Sequence, residues 1–464
     1  MRPVWRTANL LIRYCRAYKL CDRLSMARSS SVLLFVAALA LASGERDVPG
    51  LIQSTLQEVL SAQVQKYDMG AAMAFYSPKL GLITAADGFV DGGLGMGSKT
   101  RKTRADDVFV WGSTTKMFTG PAVLQLVDQG KVGIDDPAYK HVDPILSALN
   151  GTKLADHFGA AIEGVTIRHL LHMTSGVPDY DGSAYSIAQF ANRTQEFGPV
   201  DILSNFVDSE LEFEPGTYQN YCSTNYILLG LVLANHYHRD GDAWSWQAYD
   251  QKTVVPSALR KAGLLDASTF ADSGTCDAYT DVHGFMESYD VHGATFPPQD
   301  ISNVSCVGGW TGGNYLGPVS DVAQYTYDLY SPAAGGSSSS SILSKQSQAL
   351  LTNFTTASSG SSSHHFKFYG MGTFSLDWAI GMNGTAYGHV GDTYGFQSQT
   401  TYFPGLDFVL TIATNVETNS QAQPADATCL GYHAVVAAMQ GTPAPKCTFT
   451  VPRHFIGTCT CTQE

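Results

Sequence analysis

Ser113 and Lys116 stand three residues apart at the head of the apolar stretch Met117-Phe118-Thr119-Gly120-Pro121-Ala122-Val123-Leu124-Gln125-Leu126. Residues three apart on a helix share a face. The lysine amine can then take the hydroxyl proton as the serine oxygen attacks a carbonyl. The helix N-terminus would add backbone N–H groups and partial positive charge where the oxyanion forms. This chemistry needs a lysine that is neutral part of the time, so its pKa must be lowered by burial or by a neighbouring cation. Ser-x-x-Lys is a weak signal taken singly, because a capping serine beside a solvated lysine has the same spelling. It occurs once in this chain: no other lysine follows a serine by three positions.

Two further segments carry groups that could complete such a site. Pro215-Gly216-Thr217-Tyr218-Gln219-Asn220-Tyr221-Cys222-Ser223-Thr224-Asn225-Tyr226-Ile227-Leu228-Leu229-Gly230 sets tyrosines and polar side chains ahead of an apolar helix. Tyr387-Gly388-His389-Val390-Gly391-Asp392-Thr393-Tyr394-Gly395-Phe396-Gln397-Ser398 reads as a glycine-rich strand edge with a basic residue, where glycine lets a substrate backbone approach. Each alone reads as an ordinary loop or a structural histidine. The combination and order of the three are harder to assign to chance.

The elements that must position them are legible at both ends of the chain. Ile52, Leu56, Val59, Leu60 and Val64 fall at helical spacing, and residues 71–76 and 82–86 read as strands around a Pro78 turn. Residues 397–402 and 408–414 read as strands joined at Pro404-Gly405, and residues 428–439 as a closing helix. The fold class expected is α+β: one mostly antiparallel sheet built from the two chain ends, with a large helical insertion between them. Ser/Gly tracts at 335–341 and 358–363 read as surface loops. Asp-Val-His-Gly occurs twice, at 281–284 and 290–293; a duplicated loop is the plainer reading and a metal site the sharper one. No zinc-type or dinucleotide-binding motif is spelled anywhere, so no metal and no cofactor is expected.

From about Leu51 to Met439 the sequence resembles the superfamily of class C serine β-lactamases, low-molecular-weight D,D-peptidases, and related esterases and D-aminopeptidases. Besides the three segments above, the resemblance includes Gly130-Lys131-Val132-Gly133-Ile134-Asp135-Asp136-Pro137, Thr166-Ile167-Arg168-His169-Leu170-Leu171-His172-Met173-Thr174-Ser175-Gly176-Val177-Pro178 and Tyr369-Gly370-Met371-Gly372. It implies a β-lactamase/transpeptidase-like architecture, a helical subdomain on an antiparallel sheet flanked by helices, with the site in the cleft between them. By position it makes Ser113 the nucleophile, Lys116 the base and Tyr221 the tyrosine that assists proton transfer. Ser223, His389, Gly391 and Asp392 become substrate-binding residues, with the N–H groups of Ser113 and Asp392 forming the oxyanion hole. Two departures stand out. Ser223 takes a place where asparagine is usual, while Tyr218-Gln219-Asn220 offers a literal Tyr-x-Asn three residues early. His389 stands where lactamases and D,D-peptidases usually have lysine; an imidazolium there would aid anionic substrates below about pH 6 to 7 and not above.

The first 43 residues carry Arg2, Arg6, Arg13, Arg16, Lys19, Arg23 and Arg28 against Asp22 alone, then an apolar run from Val32 to Ala42 too short to span a bilayer. They read as a signal peptide cut near Ala42, with Met26 as an alternative start and an uncleaved anchor as the rival. Residues 44–440 are then the catalytic domain and 441–464 a cysteine-containing tail. Losing those seven basic residues and one acid takes the net charge from −13 to −19, which repels phosphate backbones and makes nucleic acid an improbable partner. Sequons at Asn150, Asn192, Asn303, Asn353 and Asn383 fit a secreted eukaryotic chain. Cys222, Cys276, Cys306, Cys429, Cys447, Cys459 and Cys461 remain, an odd number, so one should be free. Cys222 is the expected one, while Cys276 with Cys306 and Cys429 with a tail cysteine close the shortest loops. The expected activity is hydrolysis of an ester or amide bond, in a small peptide, D-amino-acid derivative or ester, through a Ser113 acyl-enzyme, without stable membrane insertion. A silent binding protein and a true β-lactamase are the rivals; natural substrate and oligomeric state are open.

Overall fold

A computed structural model describes residues 46–291, 294–332, 341–354, 369–377, 385–418 and 422–448, with the side chains of 289–296 left aside. The expected signal segment, all but Ser341 of the first Ser/Gly tract, the whole of the second, Asn383, Cys459, Cys461 and part of the second Asp-Val-His-Gly lie outside them.

Helix α1, Val48–Tyr67, buries Ile52, Leu56, Leu60 and Gln63, one stripe at intervals of three and four. Strands β1, Ala71–Ser77, and β2, Gly81–Asp87, follow as an antiparallel pair. Helices α2, Lys116–Asp128, α3, Tyr139–Asn150, and α4, Thr224–Tyr237, belong to the insertion, and α5, Val319–Tyr330, leads out of it. The chain then runs through β3, Phe374–Ser375, β4, Tyr387–Thr393, β5, Phe396–Phe403, and β6, Phe408–Thr414, to α6, Ala422–Gln440. The six strands form one sheet in the order β3-β4-β5-β6-β1-β2. β6 pairs antiparallel with β1 from Ala71↔Thr414 to Tyr76↔Val409, so the two chain ends meet in mid-sheet, as the sequence predicts.

β5 and β6 are buried at every position because helices cover both faces. Tyr402 stacks edge-on against Tyr327 of α5, whereas its neighbour Phe403 packs on Tyr432 of α6. Adjacent strand residues point to opposite faces, which puts α5 and α6 on opposite sides. α4 is buried without a break from Thr224 to Ala234, the pattern of a helix surrounded by others. Cys276–Cys306 and Cys429–Cys447 are disulfides, the latter tying the start of the tail to α6. Among the described cysteines Cys222 alone is free, and it is buried. The sequon asparagines Asn150, Asn192, Asn303 and Asn353 are all exposed. No described helix is long and apolar enough to cross a membrane. In the first Asp-Val-His-Gly, His283 pairs with Asp300 at 2.7 Å, and no group of three metal-ligating side chains converges among the described residues.

Candidate active site

The turn that carries Ser113 is set from outside. The short strand Phe109–Val110 pairs with Tyr315–Gly317, Trp111 N–H donates to the Tyr315 carbonyl at 3.0 Å, and its indole N–H to the Gly317 carbonyl at 2.8 Å. The chain then reverses at Gly112, φ +51°. The sequence predicts that Ser113 opens an α-helix; instead Gly112–Thr115 forms a 3-10 turn and the α-helix begins at Lys116. The tighter turn follows from Thr115, whose hydroxyl donates to the Gly112 carbonyl at 2.7 Å and accepts from Tyr315 N–H at 2.9 Å. Ser113 is left half-buried while Gly112, Thr114, Thr115 and Lys116 are buried. Pro121 lies inside α2 and lacks the N–H that would bond the Met117 carbonyl. The Tyr325 hydroxyl of α5 takes that carbonyl at 2.9 Å.

Lys116 is fully buried. Its Nζ lies 3.0 Å from Ser113 Oγ, 3.2 Å from Ser223 Oγ and 2.9 Å from the Gly312 carbonyl. Burial pulls its pKa down to about 8, opposed by the negative charges of Asp179 and Asp181 and by Cys222. A neutral amine has two hydrogens and one lone pair. The Gly312 carbonyl can only accept, so it takes one hydrogen, and Ser223 Oγ can take the other. The lone pair is left for the Ser113 hydroxyl proton.

Tyr221 stands at the third corner. Its ring stacks on Phe374 at 5.4 Å, meets Tyr369 edge-on at 5.7 Å, and has Lys116 Nζ 5.1 Å from its centroid. Its hydroxyl oxygen is buried and makes no well-formed hydrogen bond. Burial drives the phenol well above its usual pKa, while the neighbouring Ser113 hydroxyl pulls the other way. The literal Tyr-x-Asn points elsewhere: Tyr218 packs on Phe213, and Asn220 Nδ2 donates to Glu212 at 2.9 Å.

On β4 the geometry separates residues that the sequence groups together. Tyr394 and Gly395 both have positive φ, +45° and +83°, as a two-residue I′ turn requires. Thr393 and Phe396 close the ladder, so alternation turns the Asp392 N–H away from β5 toward the free edge of β4. Gly112 lies against that edge: a Cβ on it would come within 2.9 Å of the Asp392 backbone N, C and O. The turn carrying Ser113 thus packs directly on the Asp392 backbone. Gly391 allows the approach, since a Cβ there would fall 1.8 Å from the Trp111 carbonyl.

His389 departs from the expectation. It is fully buried, with Tyr369 Oη 3.0 Å from Nε2 and the Val390 carbonyl 2.6 Å from Nδ1. Burial, and then the Lys116 charge, lower its pKa to about 3. The imidazole is neutral through the range where an anion-binding switch was expected. Ser223, expected to bind substrate, has its hydroxyl on Lys116.

Three participants escaped the sequence reading. The Gly312 carbonyl is a backbone group with no side-chain signature; its one signal is the glycine-rich run Gly308-Gly309-Trp310-Thr311-Gly312-Gly313. Asp179 directly follows the Thr166–Pro178 segment and Tyr369 begins the Tyr369–Gly372 segment, and neither side chain carries a local mark of its place in the site.

A family model for beta-lactamase matches residues 81–430, a span that holds every one of these groups. The chain belongs to the beta-lactamase family. Within this serine-hydrolase-type family it is similar to protein flp of Staphylococcus aureus, 32% identical over 149 residues, or 32% of this chain and 27% of flp. The match thus spans about a quarter of that relative's length. Among solved structures, a D-stereospecific amidohydrolase from Streptomyces sp. superposes with TM-score 0.62 at 19% identity, covering 84% of this chain and 99% of that one. The D-amino acid amidase of Ochrobactrum anthropi SV3, in complex with D-phenylalanine, gives TM-score 0.62 at 16% identity, covering 84% and 99%. At such identities these two likenesses show the β-lactamase fold of mixed helix and antiparallel sheet.

Proposed function

We propose that this beta-lactamase family member is a secreted, glycosylated hydrolase that cleaves an ester or amide bond through a Ser113 acyl-enzyme. The observation that carries the reading is the buried Lys116 amine 3.0 Å from Ser113 Oγ, with a pKa low enough, about 8, to supply free base near neutral pH. Ser113 attacks the carbonyl as Lys116 takes its proton, the Ser113 and Asp392 amides hold the oxyanion, and Tyr221 passes a proton to the leaving group. Water then cleaves the acyl-enzyme by the reverse route. Small amino-acid amides and esters, D-configured ones first, are the substrates to try, in line with the amidase neighbours. A neutral His389 removes one cation that would hold a substrate carboxylate, which disfavours classical β-lactam turnover and the class C assignment with it.

A fluorophosphonate probe tests the chemistry. Covalent mass on Ser113, with turnover lost by about a thousandfold or more in Ser113→Ala and nearly as much in Lys116→Ala, is the result expected. A folded wild type that takes no label and turns over no ester, D-amino-acid amide or β-lactam would leave the silent binding protein as the reading.

A further inference from the structure

Ser223 occupies the N-cap of α4, yet its side chain makes no capping hydrogen bond. Its hydroxyl is turned to Lys116 instead. The start of this helix is buried, with Ser223 3% and Thr224 0% exposed, and N–H groups at a buried helix start need an acceptor. The acceptor comes from another segment: Asp179 Oδ1 takes the Ser223 N–H at 3.0 Å and the Asp181 N–H at 3.2 Å. The Thr224 N–H also acts on the same carboxylate. The turn carrying Asp179 is fastened to α4 at several points. Tyr180 N–H donates to Thr224 Oγ1 at 2.9 Å, Cys222 Sγ to the Val177 carbonyl at 3.1 Å, and Ser175 Oγ to Asn225 Oδ1 at 2.6 Å.

We propose that Asp179 is a positioning residue for Lys116: its carboxylate holds the Ser223 N–H at the head of α4 and so fixes the residue whose hydroxyl holds the lysine, and its negative charge acts on the amine. The proposal rests on the Ser113 acyl-enzyme reading above. Were Asp179 absent, the buried Ser223 N–H would lose its acceptor, which Ser223's own hydroxyl cannot replace, and the head of α4 would shift and carry that hydroxyl off the lysine. The lysine would then keep only the Gly312 carbonyl and Ser113.

The sign of the charge effect follows from what faces Lys116. Asp179 and Asp181 approach from the turn after Pro178, Cys222 and the rings of Tyr221 and Tyr226 from the start of α4, and neutral His389 from β4. Asp179 and Asp181 favour the ammonium form. Removing one negative charge lowers the lysine pKa, so the free base appears at lower pH.

The experiment is the pH dependence of kcat/KM for p-nitrophenyl butyrate, from about pH 6 to about pH 10, in wild type, Asp179→Asn and Asp179→Ala. Asparagine keeps an oxygen for the Ser223 N–H and loses the charge. Its rising limb is expected to move to lower pH by about half to one unit, with the plateau within about threefold of wild type. Alanine loses cap and charge together, and its plateau kcat should fall about tenfold or more with KM little changed. A rising limb in Asp179→Asn that coincides with wild type or moves to higher pH overturns the proposal, as does an Asp179→Ala plateau equal to wild type. Should Asp179→Ala fail to fold, the Asp179→Asn limb decides. If Ser113→Ala retains wild-type turnover of the same ester, the acyl-enzyme reading falls and the proposal with it. Dependence on Ser113 with an unmoved Asp179→Asn limb removes the role of Asp179 alone.

Discussion

Tyr369 donates its phenolic hydrogen to His389 Nε2 across 3.0 Å. The direction is forced from the other side of the ring, where the Val390 carbonyl at 2.6 Å from Nδ1 can only accept. Nδ1 therefore carries the proton and Nε2 the lone pair that Tyr369 fills. A second proton would place a charge in a fully buried position facing Lys116, and burial and that neighbouring charge keep the ring neutral.

The pH profile of activity should therefore report Lys116 and not histidine. Below about 8 the lysine is mostly ammonium and cannot accept the serine proton; above it the free base predominates. The expected kcat/KM rises with pH to a plateau beyond about pH 8, with the same shape for a neutral ester and for an ester bearing a free carboxylate. Steady-state kinetics on the two substrates checks this. A decline between about pH 6 and 7 confined to the carboxylate substrate would show that His389 titrates in the cleft after all.

Gly391→Ala should disable the enzyme through the backbone. The new methyl would meet the Trp111 carbonyl at 1.8 Å and Ser398 Oγ at 2.5 Å, so β4 must move off the nucleophile turn and carry the Asp392 amide with it. Loss of one oxyanion donor costs about a hundredfold or more in kcat, and the overpacking about 1–3 kcal/mol of stability. Gly405→Ala, where a Cβ meets nothing within 4 Å, is the control. Equal kcat and equal melting temperature in the two variants would refute the close approach.

Pro121 and Tyr325 should be energetically coupled. Tyr325→Phe strands the buried Met117 carbonyl and should cost about 1–3 kcal/mol. In a Pro121→Ala background the residue at 121 regains an N–H for that carbonyl, so removing the Tyr325 hydroxyl should cost less by about 1 kcal/mol. Denaturant unfolding of the four proteins in the cycle measures it. Strict additivity would mean the hydroxyl is not the substitute partner of Met117.

The chain ends were readable because burial there is periodic. Ile52, Leu56 and Leu60 follow helical spacing, and the strands 71–77 and 408–414 are apolar runs bounded by turn residues, so the element type follows from local pattern. Ser113, Lys116, Tyr221 and His389 could be picked out for the same reason: their side chains name their chemistry, and they sit in short segments resembling a known superfamily. The charge state of His389 could not be read this way, because it depends on the Tyr369 hydroxyl 20 residues away and on how completely the sheet buries the ring. The lowered pKa of Lys116 has the same origin, since desolvation is a property of everything packed around the amine and not of its neighbours in sequence. The Gly312 carbonyl, 196 residues from Lys116, and the Asp179 carboxylate, 44 residues from Ser223, are the extreme case. A backbone oxygen and an ordinary aspartate carry no local mark, and they acquire a role only when long-range folding brings them within hydrogen-bond distance.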